Sequence, residues 1–515
     1  MSAAGQLYSL RGAVRLARFR LLHHRPSLDK AISHLERSVA QLPADHPDRP
    51  LVLGALSNGL LWRYELAADA ADLDRAVALL RAAGSDPVIL GDLAAALRSR
   101  FVRYGDDADL DEAIDVATAA IEHTADPAAD PAADPAAGPA SAVTNRALAL
   151  LARYERTASL EDLLAALRDA RRPARGVLHR GLRLAALVGA LGSRYQFTDD
   201  PVDLADAIAA GREVLATLSR FDPHRAHYAG ELSIVLRLSD DPAVRAEAVD
   251  AAEAAQGDAT HVDHANRLSA LSMALLMRHL DTGALPDLER ARDLAEEAVA
   301  AGVDGNRPLL LQRAGLLARR YFDVTGDPAA LRRAEAACRE SLSALTADDP
   351  RRAGLVYHLA ETLRRDPGSA PRYAASRALL SELLRRPGPV VSTHSVLRAA
   401  ARLGELSADA GDTGDAMLGY RTAVGLLPTA AWPGLRRTVR ESRLAEAPRA
   451  TDAAAQAIQA GDRRLATALL ESGRSVLWAQ HLDLHTDLTG LRAAAPELAG
   501  RLNELRVWLD RTGPE

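Results

Sequence analysis

A pattern that returns about every 43 residues runs through this 515-residue sequence and restricts it to a narrow set of folds. Its most visible part is a short phrase: Leu28-Asp29-Lys30-Ala31-Ile32, Leu73-Asp74-Arg75-Ala76-Val77 and Leu110-Asp111-Glu112-Ala113-Ile114. Looser versions start at Leu160, Leu204, Val244, Leu288 and Leu331. Ahead of several of these anchors lies a second apolar series. Leu53, Leu56, Leu60 and Tyr64 lead to Leu73, and Leu90, Leu93, Leu97 and Phe101 lead to Leu110. Leu184, Leu187, Leu191 and Tyr195 stand the same way before Leu204, as do Leu268, Leu271, Leu275 and His279 before Leu288. Counted from the first member, they occupy offsets 0, 3, 7 and 11, which is one face of an α-helix. A turn carrying Gly, Asp or Pro, such as Thr325-Gly326-Asp327-Pro328, leads into a second helix with its inner face at offsets 20, 23, 24 and 27. Two helices on a short turn cannot cover their own apolar faces, so each hairpin must stack on the next. The expected fold is all-α, a right-handed α-solenoid of about ten such hairpins.

Composition agrees. Apolar residues make up 48% of the chain but aromatics only 4%, so Ala and Leu do most of the burying, which suits closely packed helices. A net charge of −6 and a pI near 6.2 give no basic footprint, and nucleic acid is not an expected partner. No apolar run approaches the ~20 residues of a membrane span, and the Arg-rich start lacks the apolar core of a secretory signal. It reads as a first helix, and the expected location is the cytoplasm. Cys338 is the only cysteine, which removes disulfides within the chain and cysteine-based zinc sites.

Two stretches interrupt the pattern. Residues 124–142 place Pro127, Pro131, Pro135 and Pro139 four apart among Ala and Asp, which forbids a continuous helix and offers little to bury. The repeat phase resumes beyond this flexible loop. A second break falls at Arg385-Arg386-Pro387-Gly388-Pro389. The expected organisation is therefore helical repeats over 1–123, the loop at 124–142, central repeats over 143–385, and C-terminal repeats and linker helices over 390–515. Helices are expected there near 393–409, 414–427, 435–447, 451–460, 462–485 and 496–510.

The offsets 7, 11, 20, 24 and 27 resemble the core series of tetratricopeptide repeats. Two departures stand out: Leu replaces the small residue that family places at 20, and the period exceeds its 34 residues by roughly nine. A narrower resemblance lies in the last third. Leu469-Leu470-Glu471-Ser472-Gly473-Arg474-Ser475-Val476-Leu477-Trp478-Ala479-Gln480, then Leu484-His485-Thr486-Asp487-Leu488 and Leu491-Arg492-Ala493-Ala494-Ala495-Pro496-Glu497-Leu498, is similar to the segment joining repeats to peptidase in actinobacterial CHAT-domain proteins. The Arg-Tyr and Leu-Asp-x-Ala-Ile phrasing of the repeats also resembles their N-terminal arrays. That resemblance implies the recognition and regulatory arm of a caspase-like peptidase system, with the peptidase domain acting in cis or in trans. Its His–Cys dyad would belong to an α/β domain that this chain lacks, since the sequence stops at Glu515 about where such a domain would start.

No catalytic, metal or cofactor residues are assigned. His481 and His485 are spaced i,i+4, but without a HExxH motif or an evident third ligand they read as surface histidines. The pairs His224/His227 and His261/His264 read as capping or inter-hairpin hydrogen-bonding groups. Cys338 falls at a core offset with nothing nearby to activate it. Walker A, GxSxG and GxGxxG motifs are absent. The expected function is therefore binding of a protein or peptide on a concave face, at offsets 2, 5, 9, 12 and 13. These offsets select Asn58, Trp62, Glu65, Ser99, Arg103, Asn145, Arg153, Ser193, Gln196, Met273, Met277, Arg313 and Arg320. Trp62 and the arginines are the expected strong contributors. A freestanding adaptor, or the tail of a signalling ATPase, is the alternative reading.

Overall fold

Leu53, Leu56, Leu60 and Tyr64 all lie on the inward face of the helix Arg49–Ala67, none more than 5% exposed. Leu73, Ala76, Val77 and Leu80 face them from Ala70–Ala83, each 0% exposed. This is a computed structural model. It describes residues 3–22, 24–125, 140–173, 177–218, 222, 224–347, 349–366, 369–386, 393–433, 435–446, 450–484 and 488–512. Among the described residues the regular structure is helix throughout, with no strand. The same hairpin recurs as Pro87–Tyr104 with Asp107–Ala125, Ala140–Thr157 with Leu160–Ala170, Arg225–Leu236 with Pro242–Ala254, and His264–Thr282 with Leu285–Ala301. The fold is an α-solenoid of tetratricopeptide-like hairpins.

The turns follow from local chemistry. Asp69, Asp86, Asp241 and Asp327 each accept a backbone N–H two residues on, satisfying one of the donors a helix start leaves open. The other ends close in the left-handed region: Gly105, Gly283 and Gly326 have φ between 72° and 77°. Ala68, Ala158 and Asp199 adopt the same conformation at 52° to 55°.

The chain divides into two compact units. The first comprises 1–194 and 201–317, the second 195–200 and 318–515. Neither break coincides with the proline-rich stretches. Of the expected loop at 124–142, Ala125 ends one helix and Ala140 opens the next, and the part between lies outside the described residues. Within the first unit the solenoid coils back on itself. The Val262 N–H donates to the Glu65 carbonyl at 3.0 Å, and the Gly305 N–H donates to that of Arg103 at 3.2 Å. The Thr260 hydroxyl reaches the Leu66 carbonyl at 2.9 Å across 194 residues of sequence.

In the second unit, Thr393–Asp409 and Thr413–Ala430 cross closely enough that a Cβ on Gly419 would stand 2.4 Å from the Gly404 nitrogen. The expected helix over 462–485 is two, Arg463–Arg474 and Val476–Leu484, divided at Ser475. Gln480 explains the tether at that point. Its amide donates to the carbonyls of Pro428 and Ala431 at 2.8 and 2.9 Å, two acceptors exposed where Thr413–Ala430 ends.

Candidate partner-binding surface

An ion pair inside each of several hairpins commits an arginine and an aspartate to the fold. Arg63 forks onto Asp72 with two bonds of 2.6 Å. Arg100–Asp109, Arg153–Asp162, Arg194–Asp203 and Arg278–Asp287 repeat the arrangement, each nine residues apart. The carboxylates are nearly enclosed: Asp72, Asp109, Asp162 and Asp203 are 2–7% exposed. The bond to Asp109 and its charge raise the Arg100 guanidinium above its ordinary value against the effect of burial, and Arg63 behaves likewise with Asp72. This recurrent Arg, nine residues before an Asp that immediately precedes the anchor Leu, is legible in the sequence and corrects one register. The anchor of the fourth unit is Leu163, which is 0% exposed, and not Leu160, which is half-buried.

That correction reassigns Arg153. It is held by Asp162 at 2.8 Å and Asp111 at 2.9 Å, so it spends its donors within the solenoid. Asn145 is buried and donates to the Gly91 carbonyl at 2.9 Å, and Asn58 donates to the Asp92 carboxylate at the same distance. Both tie one first helix to the next. The Ser99 hydroxyl bonds back to Ala95, Trp62 packs 5.5 Å from the Phe19 ring, and the Arg103 guanidinium lies 5.5 Å over Tyr104. Glu65, Ser193, Met273, Met277 and Arg313 are exposed or half-buried in the first unit, and Gln196 and Arg320 belong to the second. Asn58, Asn145 and Arg153 are thus committed to contacts within the first unit.

What the first unit does bring together is an inner wall of charges. Glu65 is exposed on this wall, where desolvation by the surrounding protein and then Asp263 push its carboxyl up to about 7, against the pull of Arg98. Burial also raises Glu231, which lies near His227, Asp263 and Arg98, and lowers Arg98 against the combined charge of Asp263, Glu65 and Glu231. His261 accepts the Asp263 N–H at 3.1 Å on its Nδ1, and burial lowers its pKa. Further along, Arg313 donates to the Ser269 hydroxyl at 2.7 Å, on the helix that carries Met273 and Met277. Arg237 has a buried Nε with no hydrogen-bond partner. Burial and then the nearby charge of Arg313 lower Arg237 to about 10. Arg98 falls at offset 8, outside those chosen for the concave face, whereas Arg237 falls at offset 13 of the Val244 unit, from which no candidate was taken.

His224 stands at a helix start without a side-chain capping bond, while His227 and His264 lie 3.7 and 3.8 Å from Asp263 and Glu297. The pair His481/His485 lies outside the described side chains. Cys338 packs with Leu359 and Leu363, and burial pushes its thiol up. Among the described residues no three His, Cys, Asp or Glu side chains are placed to hold a metal ion, and no helix is long and apolar enough to cross a membrane.

No family model matches the sequence, and no curated protein matches it. Solved structures of low identity are similar to it at TM-scores below 0.5. A human IFIT1 dimer with PPP-AAAA is 13% identical, covering 87% of this chain and 94% of its own, with a TM-score of 0.46. A signal transduction ATPase with numerous domains (STAND) from Pyrococcus horikoshii, which carries a tetratricopeptide repeat sensor, is 11% identical with a TM-score of 0.45. It covers 90% of this chain and 64% of its own. The APC/C hetero-tetramer Cut9-Hcn1 is 13% identical, covering 85% and 93%, with a TM-score of 0.33.

Proposed function

We propose that the first unit binds an extended, acidic segment of a protein partner along its inner wall, as the recognition arm of a CHAT-type caspase-like peptidase system. The observation that carries the binding reading is Arg237. An enclosed guanidinium without a carboxylate is costly, whereas the arginines outside the wall are widely paired with acids inside the fold. Arg237 and Arg313 together offer planar forks suited to a partner's Asp or Glu, with Met273 and Met277 as adaptable apolar neighbours. The CHAT assignment rests on the resemblance of residues 469–498 and of the Arg-Tyr and Leu-Asp-x-Ala-Ile phrasing of the repeats. A freestanding adaptor, or the repeat tail of a signalling ATPase, uses the same surface.

Selection of a displayed peptide library on the full chain tests the binding reading. Selected peptides should be rich in Asp and Glu, and Arg237→Ala with Arg313→Ala should weaken them about tenfold or more while helical content stays unchanged. Equal binding by the double variant would discard the assignment. For the system, the discriminating measurement is whether a CHAT peptidase domain co-purifies with the chain and changes its cleavage rate when a selected peptide is added.

A further inference from the structure

The helix Ala3–Leu22 turns Leu16 and Phe19, 8% and 7% exposed, onto Arg25–Gln41 and Arg49–Ala67. Its opposite face is apolar as well. Leu7, Leu10 and Val14 are 46%, 63% and 61% exposed, and their spacing sets them along one stripe over two helical turns. Arg11, Arg15 and Arg18 flank that stripe and make no ion pair among the described residues, unlike the clamped arginines of the hairpins. Leu10, Arg11, Val14 and Arg15 line one shallow depression with His34 at its side. Burial lowers the pKa of His34, and the charges of Arg11, Arg37 and Arg15 lower it further, so the depression is electropositive.

Stacking elsewhere in the solenoid shows what fits such a face. Successive hairpins are joined along their second helices by Arg–Glu pairs: Arg75–Glu36 at 2.5 Å, Arg212–Glu247 at 2.6 Å and Arg290–Glu253 at 2.7 Å. The exposed apolar stripe lies on a first helix, and its bordering arginines, without ion pairs among the described residues, offer the same Arg–Glu chemistry to an incoming acidic helix. We infer that this face is a docking site for an acidic amphipathic helix of another protein, seated as the second helix of a preceding hairpin would be. The stripe is narrow, two helical turns long, and bordered by arginines, dimensions that match the apolar face of a single helix. Arginine at the rim sets orientation and rate, and the leucines supply the buried area.

The chain contains a suitable probe. Its own second helix Leu285–Ala301 has five acids against two arginines and an apolar face. A fluorescein-labelled peptide of residues 285–301 should bind the full chain saturably, with affinity falling as salt rises. Arg11→Glu with Arg15→Glu, and separately Leu10→Ser with Val14→Ser, should each weaken binding about tenfold or more. All four side chains are at the surface, and an unchanged melting curve verifies folding. The inference is overturned if the peptide does not bind, if both double variants bind it equally well, or if a version with Lys in place of its acids binds as tightly. Two further results would reassign the face: binding only to phosphatidylserine vesicles, or a dimer in light scattering that the same variants dissolve.

Discussion

Ala68 and Ala158 hold positive φ at helix ends where the neighbouring hairpins use Gly105, Gly283 and Gly326. A Cβ in that conformation costs about 1–2 kcal/mol, only part of which glycine's greater chain entropy offsets. Ala68→Gly and Ala158→Gly should each stabilise the protein by about 0.5–1 kcal/mol, seen as a higher urea midpoint. Glu65 makes a prediction of different sign with pH. Its carboxyl is raised in the folded chain, so the folded state takes up its proton at higher pH than the unfolded state does. Its contribution is most favourable below the ordinary range near 4.5 and is lost as pH rises through about 7. Glu65→Gln should remove that loss: in urea unfolding at pH 5 and pH 8, the variant should gain on the native chain at pH 8. A smaller difference at pH 8 than at pH 5 would contradict the enclosure of this side chain.

The Arg–Asp clamp belongs to the hairpin as a whole. It spans the turn from first helix to second and lies beside the apolar contact, with Asp109 3% exposed and Arg100 partly covered. Removing the arginine strands a desolvated carboxylate, which costs about 3–5 kcal/mol when burial is complete and less here, where the guanidinium reaches water. Arg100→Ala should therefore cost about 2–3 kcal/mol, while Arg100→Ala with Asp109→Ala should recover part of it. Denaturation of the three variants forms the double-mutant cycle. Hydrogen exchange should place the loss in Pro87–Tyr104 and Asp107–Ala125, because hairpins in a solenoid depend mainly on their neighbours. The amphipathic spacing that predicts these hairpins was legible throughout. The break at Ser475 was not, since the apolar pattern continues across it, and the Gln480 bonds beside it join a helix end some fifty residues earlier.

At the scale of the coiled first unit, the contact between Gly305 and the end of Pro87–Tyr104 is critical. A Cβ on Gly305 would stand 2.2 Å from the Val102 carbonyl oxygen, and that backbone cannot yield as a flexible side chain would. Gly305→Ala should open the contact and expose the amides around 101–105 and 303–306, at a cost of about 1–3 kcal/mol. Hydrogen exchange at those amides is the measurement, and unchanged protection would show that the coil closes without this contact. The same closure encloses Glu65, Arg98, Glu231 and Asp263, so their perturbed protonation should relax toward ordinary values in the variant.

The sequence alone determined that these helices form, how they pair, and which faces are oily, because such properties depend on residues three to thirty positions apart. It also contained the clamp arginines, in a period that could be counted. Tertiary structure decided which polar residues meet on the inner wall. Arg98 and Glu231, or Arg237 and Arg313, become neighbours only through the accumulated rotation from hairpin to hairpin, to which each turn and stacking contact adds a little. That rotation cannot be read from the local spacing of apolar residues, which repeats unchanged whether a solenoid coils tightly or runs nearly straight.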